Sequence, residues 1–479
     1  MTGDDVMKLK QSNLFWIVLF VMGVAIFSVF SMRFLSSYKG RSTQTELYIP
    51  PILEDLNPEA ENNLYLLTTN EGTMEFISGK MTKTLGFNGA YLGPTIMVNS
   101  KDKIKVKVNN LLDEATTVHW HGLIIPGESD GGPHQVIHPN GVWETEFQII
   151  QPAATTWYHP HGWQSTASQV YRGLAGLLII DDEISRNLNL PSDYGINDIP
   201  IIIQDRSFNR EGQFIRSRRM MMSRKQEDFL LVNGSIHPFV QVSSSKIRLR
   251  VINASNEMNM RISLSQKLPV FQIASDGGLL TMPVQRTTVF LAPAERVELV
   301  VDFSGRKKGE KVELNVQNQG VLTVIVSNEV EDDTEIPDSL VTIKEIDLET
   351  KLPKREFILG SMGANFHING KSFEIDRIDE IGTVNTTEIW EISVKDHMMM
   401  SSQGHPFHIH GTQFRIVSRN NQIPEAYEQG WKDTVFIRNN ETVQLLVQFH
   451  YPGVYMYHCH ILEHEENGMM GQVLIEESD

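Results

Sequence analysis

Eight of the chain's 16 histidines fall in four His-x-His pairs: His119/His121, His159/His161, His408/His410 and His458/His460. Residues i and i+2 of a strand share one face, so each pair aims two imidazoles to the same side. One such pair means little, because most strand histidines are solvated or structurally satisfied. Four pairs, two near each end, point to metal binding, and the long middle stretch Gly162–Phe366 contains only His237, so the clustering is not compositional. The only cysteine sits inside the last pair, as His458-Cys459-His460, with His405, His464 and Met469 nearby in sequence. Two histidines, a thiolate and a weak thioether are the ligand set of a blue-copper electron-transfer site. Zinc is the rival metal, but its structural sites are closed tetrahedra in which an axial-type methionine is not typical. Strand alternation turns Cys459 one way and its neighbours the other. A metal on the sulfur thus has a through-bond path to imidazoles on the opposite face, one site collecting electrons and the other receiving them.

Positioning such residues requires strands, and the sequence is strand-like almost throughout after residue 60. Apolar residues alternate in Ile104/Val106/Val108, Ile247/Leu249/Val251, Val297/Leu299/Val301/Phe303, Trp390/Ile392/Val394 and Val443/Leu445/Val447/Phe449. That is the period of half-buried strands. Turn signals such as Asn88-Gly89, Asp276-Gly277-Gly278 and Asn369-Gly370 separate the runs. Helical periodicity is scarce, which predicts sandwiches or barrels. A loose repeat joins Lys103–Asn110 (KIKVKVNN), Lys246–Ser255 (KIRLRVINAS) and Thr387–Val394 (TEIWEISV). The outer two copies are each followed, eleven residues on, by a histidine, His119 after Val108 and His405 after Val394. Three similar β-sandwiches are expected, with boundaries near Asp182 and in the acidic stretch Asn328–Pro337, the first and third carrying the chemistry.

The length of 479 residues agrees with three domains. Net charge is −17, from 42 basic and 59 acidic residues, which argues against a nucleic-acid binder working through phosphate contacts. A single cysteine excludes an internal disulfide, a cysteine-based zinc finger, an iron–sulfur cluster and a CxxC redox pair. Residues 1–41 carry +3, leaving −20 on the rest. Gln11–Met32 is uncharged, and Leu14–Phe30 is almost wholly apolar, long enough to span a bilayer. A signal peptide competes, but no Ala-x-Ala-like cleavage site is evident. The expectation is a membrane anchor or signal segment over 1–32, then a polar linker over 33–60.

The motifs HWHG (His119–Gly122), WYHPH (Trp157–His161), HPFHIHG (His405–Gly411) and HCHILEHEENGMM (His458–Met470) resemble the copper motifs of the multicopper oxidases. The likeness extends through GLAGLLIIDD (Gly173–Asp182) and GWKDTV (Gly430–Val435), and is nearest to bacterial copper-efflux oxidases and bacterial laccases. It implies an all-β chain of three cupredoxin-like Greek-key sandwiches, residues 61–182, 183–330 and 331–479, behind an N-terminal hydrophobic helix. It implies four copper ions. His405, Cys459, His464 and Met469 would hold type 1 copper, and His119 and His408 type 2. His121, His159, His161, His410, His458 and His460 would hold the type 3 pair. The trinuclear ligands come from the first and third sandwiches, and the middle one is expected to act as a spacer. Asp130 and Glu465 match acidic positions that handle protons in the family.

The expected reaction is one-electron oxidation of a substrate coupled to four-electron reduction of dioxygen to water. Cuprous ion is the favoured substrate, because thioethers are soft ligands that select Cu(I). There are 20 methionines, with clusters at Met220–Met222 and Met398–Met400, the second lying just before His405. Asp396 with Met398, Met399 and Met400 is expected to form a cuprous docking site; the bland alternative is that these methionines fill gaps in a core. Met220–Met222, flanked by arginines, reads as a surface loop. Phenols and aromatic amines are the alternative substrates, and a non-catalytic copper-binding envelope protein is the alternative of a different class. The catalytic part is expected on the extracytoplasmic side, as a monomer that is either anchored to the membrane by its N-terminal segment or exported.

Overall fold

The computed structural model describes residues 45–60, 62–216, 227–327, 334–344, 351–362, 365–394 and 404–477. The N-terminal segment 1–32, Met220–Met222, and Asp396 with Met398–Met400 lie outside them. Among the described residues no helix is long and apolar enough to cross a membrane.

The three repeated sequence phrases occupy equivalent places. Lys103–Asn110 pairs in parallel with the strand Asn62–Ile77 and antiparallel with Val142–Gln148. Lys246–Asn253 pairs in parallel with Asp198–Phe208 and antiparallel with Arg296–Asp302. Thr387–Val394 pairs in parallel with Lys354–Met362 and antiparallel with Thr442–Gln448. Each phrase is therefore the centre of a sheet, and each such sheet faces a second one: four strands on four in the first sandwich, seven on five in the middle one, and five on five in the third. The all-β expectation holds.

Alternation fills the cores. Ile104, Val106 and Val108 are buried with Trp120, Phe147 and Tyr158. Ile247, Leu249 and Val251 pack with Leu299 and Leu314. Trp390 and Ile392 pack with Phe407, Leu445 and Tyr457, and Cys459 and Met469 belong to that same third core. The simple half-buried reading fails in the middle sandwich, where Arg248 and Arg250 are buried too. Their strand lies against the first sandwich. Arg250 forks onto Asp198 at 2.7–2.9 Å and donates to Thr155 Oγ1 at 2.8 Å, while Arg248 pairs with Glu298. Buried charges persist when paired and fully hydrogen-bonded.

The expected linker is no loose tether in its described part. Leu47 is buried in the middle core and its N–H donates to Phe239 O at 2.7 Å, while Leu53 N–H donates to Thr95 O of the first sandwich at 2.8 Å.

The first and third sandwiches meet backbone to backbone. Gly453 has φ +141°, and a Cβ there would sit 2.7 Å from Gly127 Cα. Tyr455, two residues on, donates its hydroxyl to Ile125 O at 2.9 Å. Overpacking of this kind costs about 1–3 kcal/mol. Gly453→Ala is therefore expected to lower the unfolding midpoint measurably. Gly305→Ala, at φ +77° but with nothing within 4 Å of its Cβ, should lower it less. Equal shifts in thermal unfolding would contradict the close approach.

Candidate metal centre

Two antiparallel strand pairs carry the histidine pairs. His119–His121 runs against Ala154–His159 with His119 opposite His159, and Gly404–Ile409 runs against Gly453–Cys459 with His408 opposite His458. His161, His410 and His460 follow just beyond the strand ends. All eight rings are buried, none more than 1% exposed. Rings from the first and third sandwiches interleave: His121 stacks on His408 at 3.7 Å and 9°, and His119 on His410 at 3.7 Å and 21°. The paired histidines thus converge.

One nitrogen of most of these rings is already anchored. Nδ1 of His119 faces Asp130 O at 3.0 Å, and Nδ1 of His159 faces Pro160 O at 2.9 Å. Nδ1 of His408 faces Asp433 O at 2.8 Å, Nδ1 of His410 faces Asp130 Oδ2 at 2.7 Å, and Nδ1 of His458 faces Cys459 O at 3.1 Å. Carbonyls and carboxylates only accept, so these nitrogens carry the hydrogen, the tautomer that in a neutral ring leaves Nε2 free to bind a metal. His121 is inverted: its Nε2 faces Asp433 Oδ1 at 2.9 Å, which leaves Nδ1 bare. A metal-bound histidine is held in this way, its second nitrogen donating to a carboxylate or carbonyl.

The bare nitrogens point at one another. His410 and His458 Nε2 are 3.0 Å apart, and His161 and His458 Nε2 3.1 Å. His121 Nδ1 and His159 Nε2 are 3.3 Å apart, and His119 and His408 Nε2 3.5 Å. Among the described residues neither ring nitrogen of His460 has a hydrogen-bond partner. Burial, followed by the neighbouring imidazoles, pushes the pKa of His161, His408, His410 and His460 well below the ordinary value. Burial likewise pushes His458 down to about 3. Neutral imidazoles with facing lone pairs repel unless a cation lies between them, and neutral imidazole is the form that binds metals. The donor set fits a cluster of metal ions.

Three carboxylates border the cluster. Asp130 anchors His410 and His119, as above. Glu465 is buried, with Oε2 3.2 Å from His458 Nδ1 and Oε1 3.5 Å from His161 Nε2. Burial, then the charge of Glu466, raises its pKa well above the usual carboxylate range. Both were expected from the sequence. The third, Asp433, was not: it anchors His121 by side chain and His408 by backbone, and takes a two-pronged salt bridge from Arg296 at 2.7 and 2.5 Å. Its sequence signals are its place in GWKDTV (Gly430–Val435) and the charged Lys432-Asp433 step at the head of the strand Thr434–Arg438, neither of which points to a histidine partner. Arg296 belongs to the middle sandwich, so the expectation of a mere spacer needs correcting. The middle third supplies no paired histidine, yet it reaches the residue that anchors two of them.

The second cluster lies on the other face of the same strand. His405 Nδ1 is 3.3 Å from Cys459 Sγ and 3.3 Å from His464 Nδ1, and the sulfur is 3.8 Å from His464 Nδ1. Cys459 is buried, and its N–H donates to Met469 O at 3.0 Å. Phe366 stacks on His464 at 4.0 Å. The sulfur also accepts from Ile461 N–H at 3.4 Å, a contact that favours a thiolate.

Comparison with known proteins agrees with this donor chemistry. Two family models, both described as multicopper oxidase, match residues 68–185 and 347–479. A multicopper oxidase of Staphylococcus aureus is 41% identical over 446 residues, covering 92% of this chain and 94% of that protein. The cell division protein FtsP of Proteus mirabilis is 33% identical over 465 residues, covering 92% of this chain and 94% of that one. The crystal structure of a laccase from Pediococcus acidilactici superposes with a TM-score of 0.86 at 37% identity, covering 91% of this chain and 95% of that chain. Buried bare imidazoles and a sulfur wired to them thus meet similarity over nearly the whole length, and the chain belongs to the multicopper oxidase family, as a copper enzyme that draws electrons from a reducing substrate and delivers them to dioxygen.

Proposed function

We propose that the chain binds four copper ions and couples one-electron oxidation of cuprous ion to four-electron reduction of dioxygen to water. In this reading His405, Cys459, His464 and Met469 hold type 1 copper, and His119 and His408 type 2. His121, His159, His161, His410, His458 and His460 hold the type 3 pair. The observation that carries the reading is the position of Cys459. Its Sγ is 3.3 Å from His405 Nδ1 on one face, while the adjacent His458 presents Nε2 3.0 Å from that of His410 on the other. When bound, the coppers supply one-electron storage and an oxygen-binding centre. The protein supplies orientation, exclusion of water and protons. Asp130 and Asp433 fix the rings, and Glu465, whose burial favours its protonated form, lies beside His161 and His458.

Cuprous ion is favoured because Asp396 and Met398–Met400 directly precede His405 in sequence, and because the −20 borne after residue 41 attracts cations. The likeness to a laccase supports a second reading, oxidation of phenols and aromatic amines. A non-catalytic copper-binding envelope protein, a reading the likeness to a cell division protein keeps in view, does not need the full donor set of ten histidines, Cys459 and Met469. Oxidation of Cu(I) to the less membrane-permeant Cu(II) makes sense outside the cytoplasm, with the N-terminal segment as anchor.

Copper-loaded protein is expected to consume oxygen faster with Cu(I) than with a phenol; uptake with the phenol alone would overturn the cuprous reading, and uptake with neither would favour the carrier. The triple variant Met398→Leu/Met399→Leu/Met400→Leu should slow Cu(I) oxidation about tenfold, equivalent to about 1.4 kcal/mol, and leave phenol oxidation unchanged. An unaltered Cu(I) rate would remove the methionines from the substrate site. Cys459→Ser should lose the blue absorption and oxygen uptake together.

A further inference from the structure

Arg296 is fully buried, and its guanidinium touches all three sandwiches. Nε donates to Thr155 O of the first at 3.0 Å, on the strand that ends in His159. Nη1 and Nη2 donate to Asp433 Oδ1 and Oδ2 of the third. Nη1 also donates to Ala294 O at 3.1 Å and Nη2 to Asp276 O at 3.0 Å, both within the middle sandwich. All five donors of the fork are thereby used. The backbone is pinned as well, with Arg296 N–H on Asp276 Oδ1 at 2.7 Å. Gly122, the residue after His121, packs directly on the pair: a Cβ there would lie 2.6 Å from Asp433 Oδ2 and 2.7 Å from Arg296 Nη2.

We infer that Arg296 is a positioning residue through which the ligand-free middle sandwich sets the geometry of the imidazole cluster. The inference rests on the copper-binding reading of the histidines. A free carboxylate rotates about its last torsion, whereas the two-pronged bridge fixes the plane of Asp433. That plane determines whether Oδ1 meets His121 Nε2, and so whether His121 presents Nδ1 in place of the Nε2 that its neighbours present. Asp433 O also anchors His408, so one arginine constrains a ligand from each outer sandwich. Among the described residues its hydrogen bonds and ion pairs go to Thr155, Asp276, Ala294 and Asp433 and not to the His405–Cys459–His464 cluster, so its loss should act on one copper centre and spare the other.

The test uses the full chain, loaded with copper, as wild type, Arg296→Met, Arg296→Lys, Asp433→Asn and the Arg296→Met/Asp433→Asn double variant. Bound copper, the blue type 1 absorption, the type 2 paramagnetic resonance spectrum and oxygen uptake are measured on each. Wild type should show both signals; a wild type lacking them sinks the copper reading itself, and this inference with it. Arg296→Met should keep the blue absorption, alter or lose the type 2 spectrum, and slow oxygen uptake at least about tenfold, the usual size of a lost supporting contact at a metal. Arg296→Lys, which keeps the charge but cannot form the fork, should fall between. The double variant should be no worse than the poorer single one, because both remove one interaction. An unchanged type 2 spectrum in Arg296→Met, parallel loss of both copper signals, or additive effects in the double variant would each overturn the inference. If Arg296→Met does not fold, Arg296→Lys decides: a changed type 2 spectrum with the blue absorption intact supports it, and an unchanged spectrum overturns it.

Discussion

Eight buried imidazoles, their ring nitrogens within a few ångströms of one another, are the constraint around which the molecule is organised. Left alone, such an array is unfavourable twice over. Water that would solvate the nitrogens is excluded, and the lone pairs face each other. The remedy is visible in the partners of the opposite ring nitrogens: carbonyls of Asp130, Pro160, Asp433 and Cys459, and carboxylates of Asp130 and Asp433. Each acceptor fixes a hydrogen on the outer side of its ring and so dictates which nitrogen faces inward. The cluster is a matter of tautomers before it is a matter of metal.

That requirement explains why the site lies between sandwiches and not within one. Each histidine pair is presented at a strand end whose other face belongs to a hydrophobic core, and the ends from two sandwiches must be pressed together to close the array. Glycines at 127 and 453 allow the backbones to touch, the buried Arg296–Asp433 ion pair ties the middle sandwich to the third, and hydrogen bonds from Arg250 and Arg296 to Thr155 tie it to the first. Cys459 marks the economy of the arrangement. Its side chain belongs to the core of the third sandwich while the flanking histidines serve the interface, so one strand end carries both centres.

Much of this was legible in the sequence, for identifiable reasons. Histidine pairs at a spacing of two survive as a signal because the strand period is fixed, and the alternating runs around Ile104, Leu249 and Trp390 declare sheet centres for the same reason. What stayed hidden depended on distant partners. Arg248, Arg250 and Arg296 look like the solvated positions of half-buried strands, and only the packing of one sandwich on another makes them interior. Asp433 carries no spacing signal toward His121, from which it is separated by 312 residues. The stretch 45–60 reads as linker because its pairing with Phe239 and Thr95 is made by backbone groups, to which composition is blind.

The most direct examination of the account is anomalous diffraction at the copper edge from crystals of the copper-loaded chain, with the zinc edge recorded alongside. Four copper peaks are predicted, one bonded to the sulfur of Cys459 and three enclosed by the eight paired imidazoles. Zinc at the sulfur, or an imidazole array that holds no copper, would contradict it.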